Sequence, residues 1–207
     1  MTECFYTTMG LEEISELLKN GKVTVIDTRS LNDYMNGHVP DSVLAPYTND
    51  FWFHEIGEYL KSIPHNIIII TGKTSNSEEF ATRIKNVRSD AVVIEYDELK
   101  KGLNVKESKL WEIDVETLMK DMEKWSIIDV REPYEWTSGI IPDAETISMN
   151  DIPNSIPHLD RNKNYAIICE HGNRSLYAAI FMADRGFNVA TVKEGMEGYR
   201  KHRLPLD

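Results

Sequence analysis

What most limits how this chain can fold is that it is written twice. Val25-Ile26-Asp27-Thr28-Arg29 is matched by Ile127-Ile128-Asp129-Val130-Arg131 at an offset of 102. The same offset sets Tyr34 on Trp136, Gly37 on Gly139, Pro40 on Pro142 and Asp41 on Asp143. Upstream, Ile14, Leu17 and Leu18 parallel Val115, Leu118 and Met119 at 101; downstream, Asn66 to Ile70 parallels Asn164 to Ile168 at 98. Short loop insertions make offsets drift in this way, and self-similarity over such a length marks a duplicated unit. The 207 residues therefore read as two domains of about a hundred residues each, an ordinary domain size. The expected division is 1–102 and 110–207, with a linker over 103–109 inside the polar, lysine-rich stretch from Leu99 to Lys109.

Both copies carry the same punctuation. A short amphipathic helix (Leu11 to Lys19, Val115 to Glu123) precedes a strand that is apolar at successive positions. A Gly-x-x-Pro turn, a second short strand and an Ile-rich strand follow, then a helix (Ser77 to Asn86, Ser175 to Arg185) and a closing strand (Ala91 to Tyr96, Asn188 to Val192). Gly186 supplies the C-terminal stop of the second of these helices. Continuous apolar strands alternating with helices predict an α/β fold, each domain a mostly parallel sheet flanked by helices on both faces. The helix from Ser175, apolar on nearly all sides, is expected to be packed in the core.

The chemistry concentrates at Cys169-Glu170-His171-Gly172-Asn173-Arg174-Ser175, directly after the strand Tyr165 to Ile168. Sites in parallel sheets lie beyond the carboxyl ends of strands. A loop bending there aims successive backbone N–H groups inward, and the start of the next helix adds its positive dipole end. Such surroundings favour a cysteine thiolate and hold an anion against it. Arg174 adds a charge that cannot be titrated away, offsetting locally a chain whose formal net charge is -11. A surface ion pair with Glu170 is the alternative use for Arg174, and Glu170 turned inward would oppose the thiolate. Asp129 and Arg131 are expected to tie strand to loop rather than touch substrate.

These residues resemble the active-site loop of the rhodanese-like sulfurtransferases, as Cys169-x-x-Gly172-x-Arg174-Ser175. Around it, Asp129-Val130-Arg131-Glu132-Pro133 with Gly139-x-x-Pro142-x-Ala144 resembles the family's first strand and turn, and Glu194-Gly195-Met196-Glu197-Gly198-Tyr199 its C-terminal signature. Ile140 departs from the family's usual histidine, which the first copy keeps as His38. The resemblance implies a tandem sulfurtransferase with an active second copy, Cys169 as the sulfur-carrying nucleophile, and a substrate cradle of Glu170, His171, Gly172, Asn173, Arg174 and Ser175. The small anionic donor would be thiosulfate or a low-molecular-weight persulfide, and the acceptor a thiol or cyanide. A different class of function, a sulfur carrier loaded by a relay protein partner, uses the same cysteine. The four residues between Cys169 and Arg174, against five in related phosphatases, favour sulfur over a tetrahedral oxyanion. In the first copy Thr71 stands at the cysteine position and Asn76 at the arginine position, so that copy is expected to be inactive.

The acidic balance argues against nucleic-acid or anionic membrane partners. The start shows no basic segment followed by an apolar run, and Cys4 and Cys169 are read as thiols of a cytoplasmic protein rather than a disulfide. Histidines are scattered without ligand spacing, so neither metal nor cofactor is expected.

Overall fold

A computed structural model describes residues 9–73, 77–103, 105–202 and 204–207; Cys4 and Asn76 lie outside them. The chain divides into two compact units, one running to Tyr34 and resuming over His38–Glu107, the other comprising Met35–Gly37 and Ser108–Asp207.

In the first unit the strands are β1 (Val23–Asp27), β2 (Val43–Leu44), β3 (Asn66–Thr71) and β4 (Val92–Glu95). Its helices are α1 (Leu11–Asn20), α2 (Leu31–Asn36, whose last two residues are counted with the second unit), α3 (Phe51–Ser62), α4 (Ser77–Val87) and α5 (Tyr96–Gly102). In the second unit β5 (Trp111–Ile113), β6 (Ser126–Asp129), β7 (Glu145–Thr146), β8 (Asn164–Ile168) and β9 (Asn188–Val192) alternate with α6 (Val115–Lys120), α7 (Pro133–Trp136), α8 (Ile152–Ser155), α9 (Asn173–Asp184) and α10 (Gly195–Lys201). The sheet orders are β2-β1-β3-β4 and β5-β9-β8-β6-β7, and the strand pairs are parallel. The central register repeats: Ile26 lies beside Ile69, and Ile128 beside Ile167.

Each sheet is covered on both faces because its central strand, β3 or β8, is apolar at consecutive positions. Successive residues of a strand point to opposite faces. In β3, Ile67 and Ile69 join one core cluster, with Trp52, Phe53 and Phe80, while Ile68 and Ile70 join another, with Ile14 and Leu99. In β8, Tyr165 and Ile167 pack with Met182 and Phe187, while Ala166 and Ile168 pack with Leu118, Met196 and Tyr199. Backbone strain is repeated with the sequence: Asp41 and Asp143, a pair at the 102 offset, both sit at positive φ (59° and 62°) after their prolines. Aspartate tolerates this left-handed geometry better than most residues.

After β4, α5 runs to Gly102 and buries Leu99. Two expectations need correction. The helix read as Val115 to Glu123 breaks at Asp121, where φ of -128° separates α6 from a 3-10 turn over Met122–Lys124. And α9 is not apolar on all sides in use: Ala178, Ala179, Met182 and Ala183 face the core, but Tyr177 is 63% exposed. Among the described residues no helix is long and apolar enough to cross a membrane.

Candidate active site

Cys169 follows β8 directly and is 1% exposed. Its Sγ accepts the Ser175 backbone N–H at 3.4 Å, and its thiol donates to Ser175 Oγ at 3.7 Å. Ser175 is itself fixed: Oγ donates to Gly172 O at 2.9 Å and lies 2.9 Å from Thr191 Oγ1 of β9. A hydroxyl has one proton to give, so Thr191 is the donor in that second bond. The first turn of α9 thus points a backbone N–H at the sulfur and offers the Ser175 oxygen as acceptor for the thiol proton.

Two glycines let the loop close. Gly172 caps α9 at φ 88°, and a Cβ there would lie 2.1 Å from Lys193 O. Gly195 opens α10 at φ 60°, and a Cβ there would lie 2.3 Å from Cys169 O and 2.6 Å from Glu170 O. The approach is this close because Met196 N–H donates to Cys169 O at 2.8 Å and Glu197 N–H to Glu170 O at 3.1 Å. In a trans peptide the carbonyl and the following N–H point oppositely. Pulling these two carbonyls toward α10 therefore turns the N–H groups of Glu170 and His171 away from it. Gly195→Ala should cost the second unit more than about 2 kcal/mol, from positive φ and a backbone clash together. A urea titration followed by tryptophan fluorescence checks this, since Trp111, Trp125 and Trp136 report the second unit.

The side chains of the cradle take different courses. Arg174 makes a two-point pair with Glu135 of α7, at 2.5 and 2.7 Å, rather than with Glu170. Glu170 instead pairs with Arg200 and lies 3.5 Å from Arg131. His171 extends outward, its Nδ1 3.1 Å from Glu197, and Asn173 is exposed at the start of α9. Arg131, wholly buried, binds Asp129 at 2.7 and 3.0 Å and also donates to Gly139 O at 2.8 Å, joining strand to turn.

The expectation of a net positive loop is not met. Each guanidinium is matched, Arg131 by Asp129, Arg174 by Glu135 and Arg200 by Glu170. Taking a guanidinium out of water costs free energy unless a carboxylate accompanies it, which accounts for the matching. Glu135 was not among the residues the sequence singled out. Its local signal is the spacing Glu132-Pro133-x-Glu135, a helix start in which Glu132 N–H donates to Glu135 Oε2 at 2.9 Å. Its partner stands 39 positions away and leaves no local signal.

The Arg174 guanidinium and the Glu132 N–H hold the Glu135 carboxyl down at about 2, from an ordinary value of 4.5. The same pair, against some desolvation, raises Arg174. A carboxyl lowered by folding stabilises the folded state above its unfolded value and loses that contribution as pH falls through the folded one. Glu135→Gln should therefore be less stable than the wild type at neutral pH, and the gap should close between about pH 4.5 and 2. Urea midpoints measured across that range check it.

In the first unit the equivalent place is differently furnished. Arg29 binds Asp27 as Arg131 binds Asp129, with Nη2 to Oδ2 at 2.6 Å. Thr71, at the cysteine position, is buried and turns its hydroxyl to Gly72 O at 3.2 Å. His38 is buried too, stacked 3.8 Å from Tyr34 with Nδ1 2.8 Å from Tyr34 O. At Ile140, where that histidine is absent, the backbone pairs in both directions with Asp207, at 3.1 and 3.0 Å.

Comparison with known proteins agrees with this layout. The family model described as "Rhodanese-like domain" matches residues 10–105 and again 114–202. The "Putative sulfurtransferase YtwF" of Bacillus subtilis is 37% identical over 83 residues, covering 40% of this chain and 81% of that protein. A "Sulfurtransferase" of Allochromatium vinosum is 31% identical over 99 residues, covering 46% of this chain and 92% of its own. The "Thiosulfate sulfurtransferase GlpE" of Pseudomonas syringae is 35% identical over 75 residues, covering 36% and 71%.

Proposed function

Because this chain belongs, through both its halves, to the rhodanese-like domain family, we propose that it is a sulfurtransferase whose second copy carries sulfur on Cys169. The observation that carries the reading is the seat of Sγ: a strand-end thiol that receives the Ser175 N–H at 3.4 Å, in a loop whose carbonyls are tied back to α10. The names of the relatives support sulfur transfer in general, and the thiosulfate activity named for one of them supports the donor proposed here.

The reaction runs in two displacements. The Cys169 thiolate attacks the outer sulfur of thiosulfate. The S–S bond to the sulfonate breaks, and sulfite leaves with the bonding pair. Cyanide or a thiolate then attacks the outer sulfur of the Cys169 persulfide. The S–S bond to Cys169 breaks, the thiolate is restored, and thiocyanate or a new persulfide departs. No external oxidant or reductant enters. The Ser175 N–H and the freed loop amides stabilise negative charge on the transferring sulfur. Arg174 has two donor nitrogens engaged by Glu135, which fixes its plane while other N–H groups stay available to the donor anion. The first copy has no cysteine at its loop and carries no sulfur; Cys4 and Cys169 are the chain's cysteines.

A relay version of the same chemistry is favoured by two exposed rings. Tyr134, 74% exposed, stands next to Glu135, the partner of Arg174, and Tyr177, 63% exposed, lies three residues beyond Arg174 on α9. Both suit a protein acceptor. The test is intact-mass spectrometry after thiosulfate treatment, followed by cyanide and a thiocyanate assay. One added sulfur with repeated turnover is the expected result. A single loading that stalls with small acceptors moves the reading to a relay protein. No sulfur uptake from thiosulfate or from glutathione persulfide overturns it.

A further inference from the structure

The first unit contains a cavity of about 830 Å³ beyond the carboxyl ends of its strands. Its wall includes Thr28 and Arg29 after β1, Tyr47 before α3, Thr71 to Lys73 at the end of β3, and Tyr96 and Asp97 after β4. This is where parallel sheets hold ligands, and small-molecule sites typically enclose ~300–1,000 Å³.

The electrical character of the wall is opposite to that of an anion cradle. Two of its three cations are already engaged. Arg29 pairs with buried Asp27 at 2.6 Å and lies 3.5 Å over the Tyr96 ring. Arg83 pairs with Asp50 and lies 3.9 Å over the Phe53 ring. The charged groups that remain in the wall are Lys73 against Asp33, Glu79 and Asp97. In sequence the counterpart of Arg174 is Asn76, which brings no guanidinium, and two glutamates follow Ser77 in the first turn of α4. Beside them Tyr47, Phe53 and Phe80 form an aromatic cluster, with centroids 5.2 to 5.4 Å apart. Carboxylates attract cations, and the Tyr47 ring, exposed while Phe53 and Phe80 are buried against it, offers an aromatic and apolar face.

We propose that this cavity is a binding site for an organic cation with an apolar body, an arylalkyl amine or a close chemical relative. Calorimetry on the full chain tests it with three ligands that share an indole and a two-carbon arm: tryptamine (ammonium), tryptophol (hydroxyl) and indole-3-propionate (carboxylate). Tryptamine should bind about tenfold tighter than tryptophol, with the carboxylate weakest, the scale of charge pairing across a few ångströms near a protein surface. The double variant Glu79→Gln/Asp97→Asn changes two exposed side chains and should bring tryptamine down to the level of tryptophol. Cys169→Ser should leave all three affinities unchanged, which separates this site from the sulfur chemistry of the second copy. Absence of binding by all three, preference for the carboxylate, or tryptamine affinity untouched by the double variant would each overturn the proposal.

Discussion

Cys169→Ser should take up no sulfur from thiosulfate and should lose turnover by more than about 10³-fold, the scale on which removing a nucleophile is felt. Serine retains the shape of the seat but not the chemistry, since an alkoxide is not accessible at neutral pH and an oxygen cannot hold a sulfane sulfur reversibly. The fold should survive the exchange. The serine hydroxyl inherits a donor in the Ser175 N–H and an acceptor in Ser175 Oγ, now 3.4 and 3.7 Å from Sγ. With partners available, the cost in stability should stay near 1–2 kcal/mol. Parallel urea titrations and intact masses check both halves of the prediction. A variant that still loads sulfur removes Cys169 from the mechanism.

Arg131→Leu should have the largest effect on stability, about 3–5 kcal/mol, because it strands a buried carboxylate. Asp129 and Arg131 are both fully buried, and the guanidinium also satisfies Gly139 O. Removing the arginine leaves Asp129 ionised in the core or forces it to take up a proton. The double variant Asp129→Ala/Arg131→Leu should be less destabilised than the sum of the two single variants, and the difference measures the coupling of the pair. Two units need not unfold in one step, so the titration should be followed by tryptophan fluorescence, weighted to the second unit by Trp111, Trp125 and Trp136. Equal stability of Arg131→Leu and the wild type would mean that water reaches the pair.

Much of the fold was legible because it is carried by local pattern. Apolar runs such as Ile67 to Ile70 can only be buried on both sides, and the 102-residue offset transfers the topology of one half to the other, down to the left-handed Asp41 and Asp143. The position of Cys169 at a strand end was legible for the same reason. The charge partners of the loop were not. Arg174 with Glu135 and Glu170 with Arg200 join residues 39 and 30 positions apart, and the choice depends on where α7 and α10 come to rest. The short edge strand β5 was missed as well: Trp111 and Glu112 are exposed and carry no burial pattern to read.

Apart from the bonds among Cys169, Gly172 and Ser175, the cysteine loop is held from outside. Cys169 O depends on Met196, Gly172 packs against Lys193, Arg174 leans on Glu135, and Glu170 is held by residues at both 131 and 200. Most of these ties are long in sequence and none can form before α7, β9 and α10 are in position. The nucleophile's seat is therefore among the last things the second unit completes as it folds and among the first it gives up. Loss of sulfur uptake on heating should run ahead of the loss of secondary structure, which makes Cys169 a sensitive reporter of whether its unit has closed.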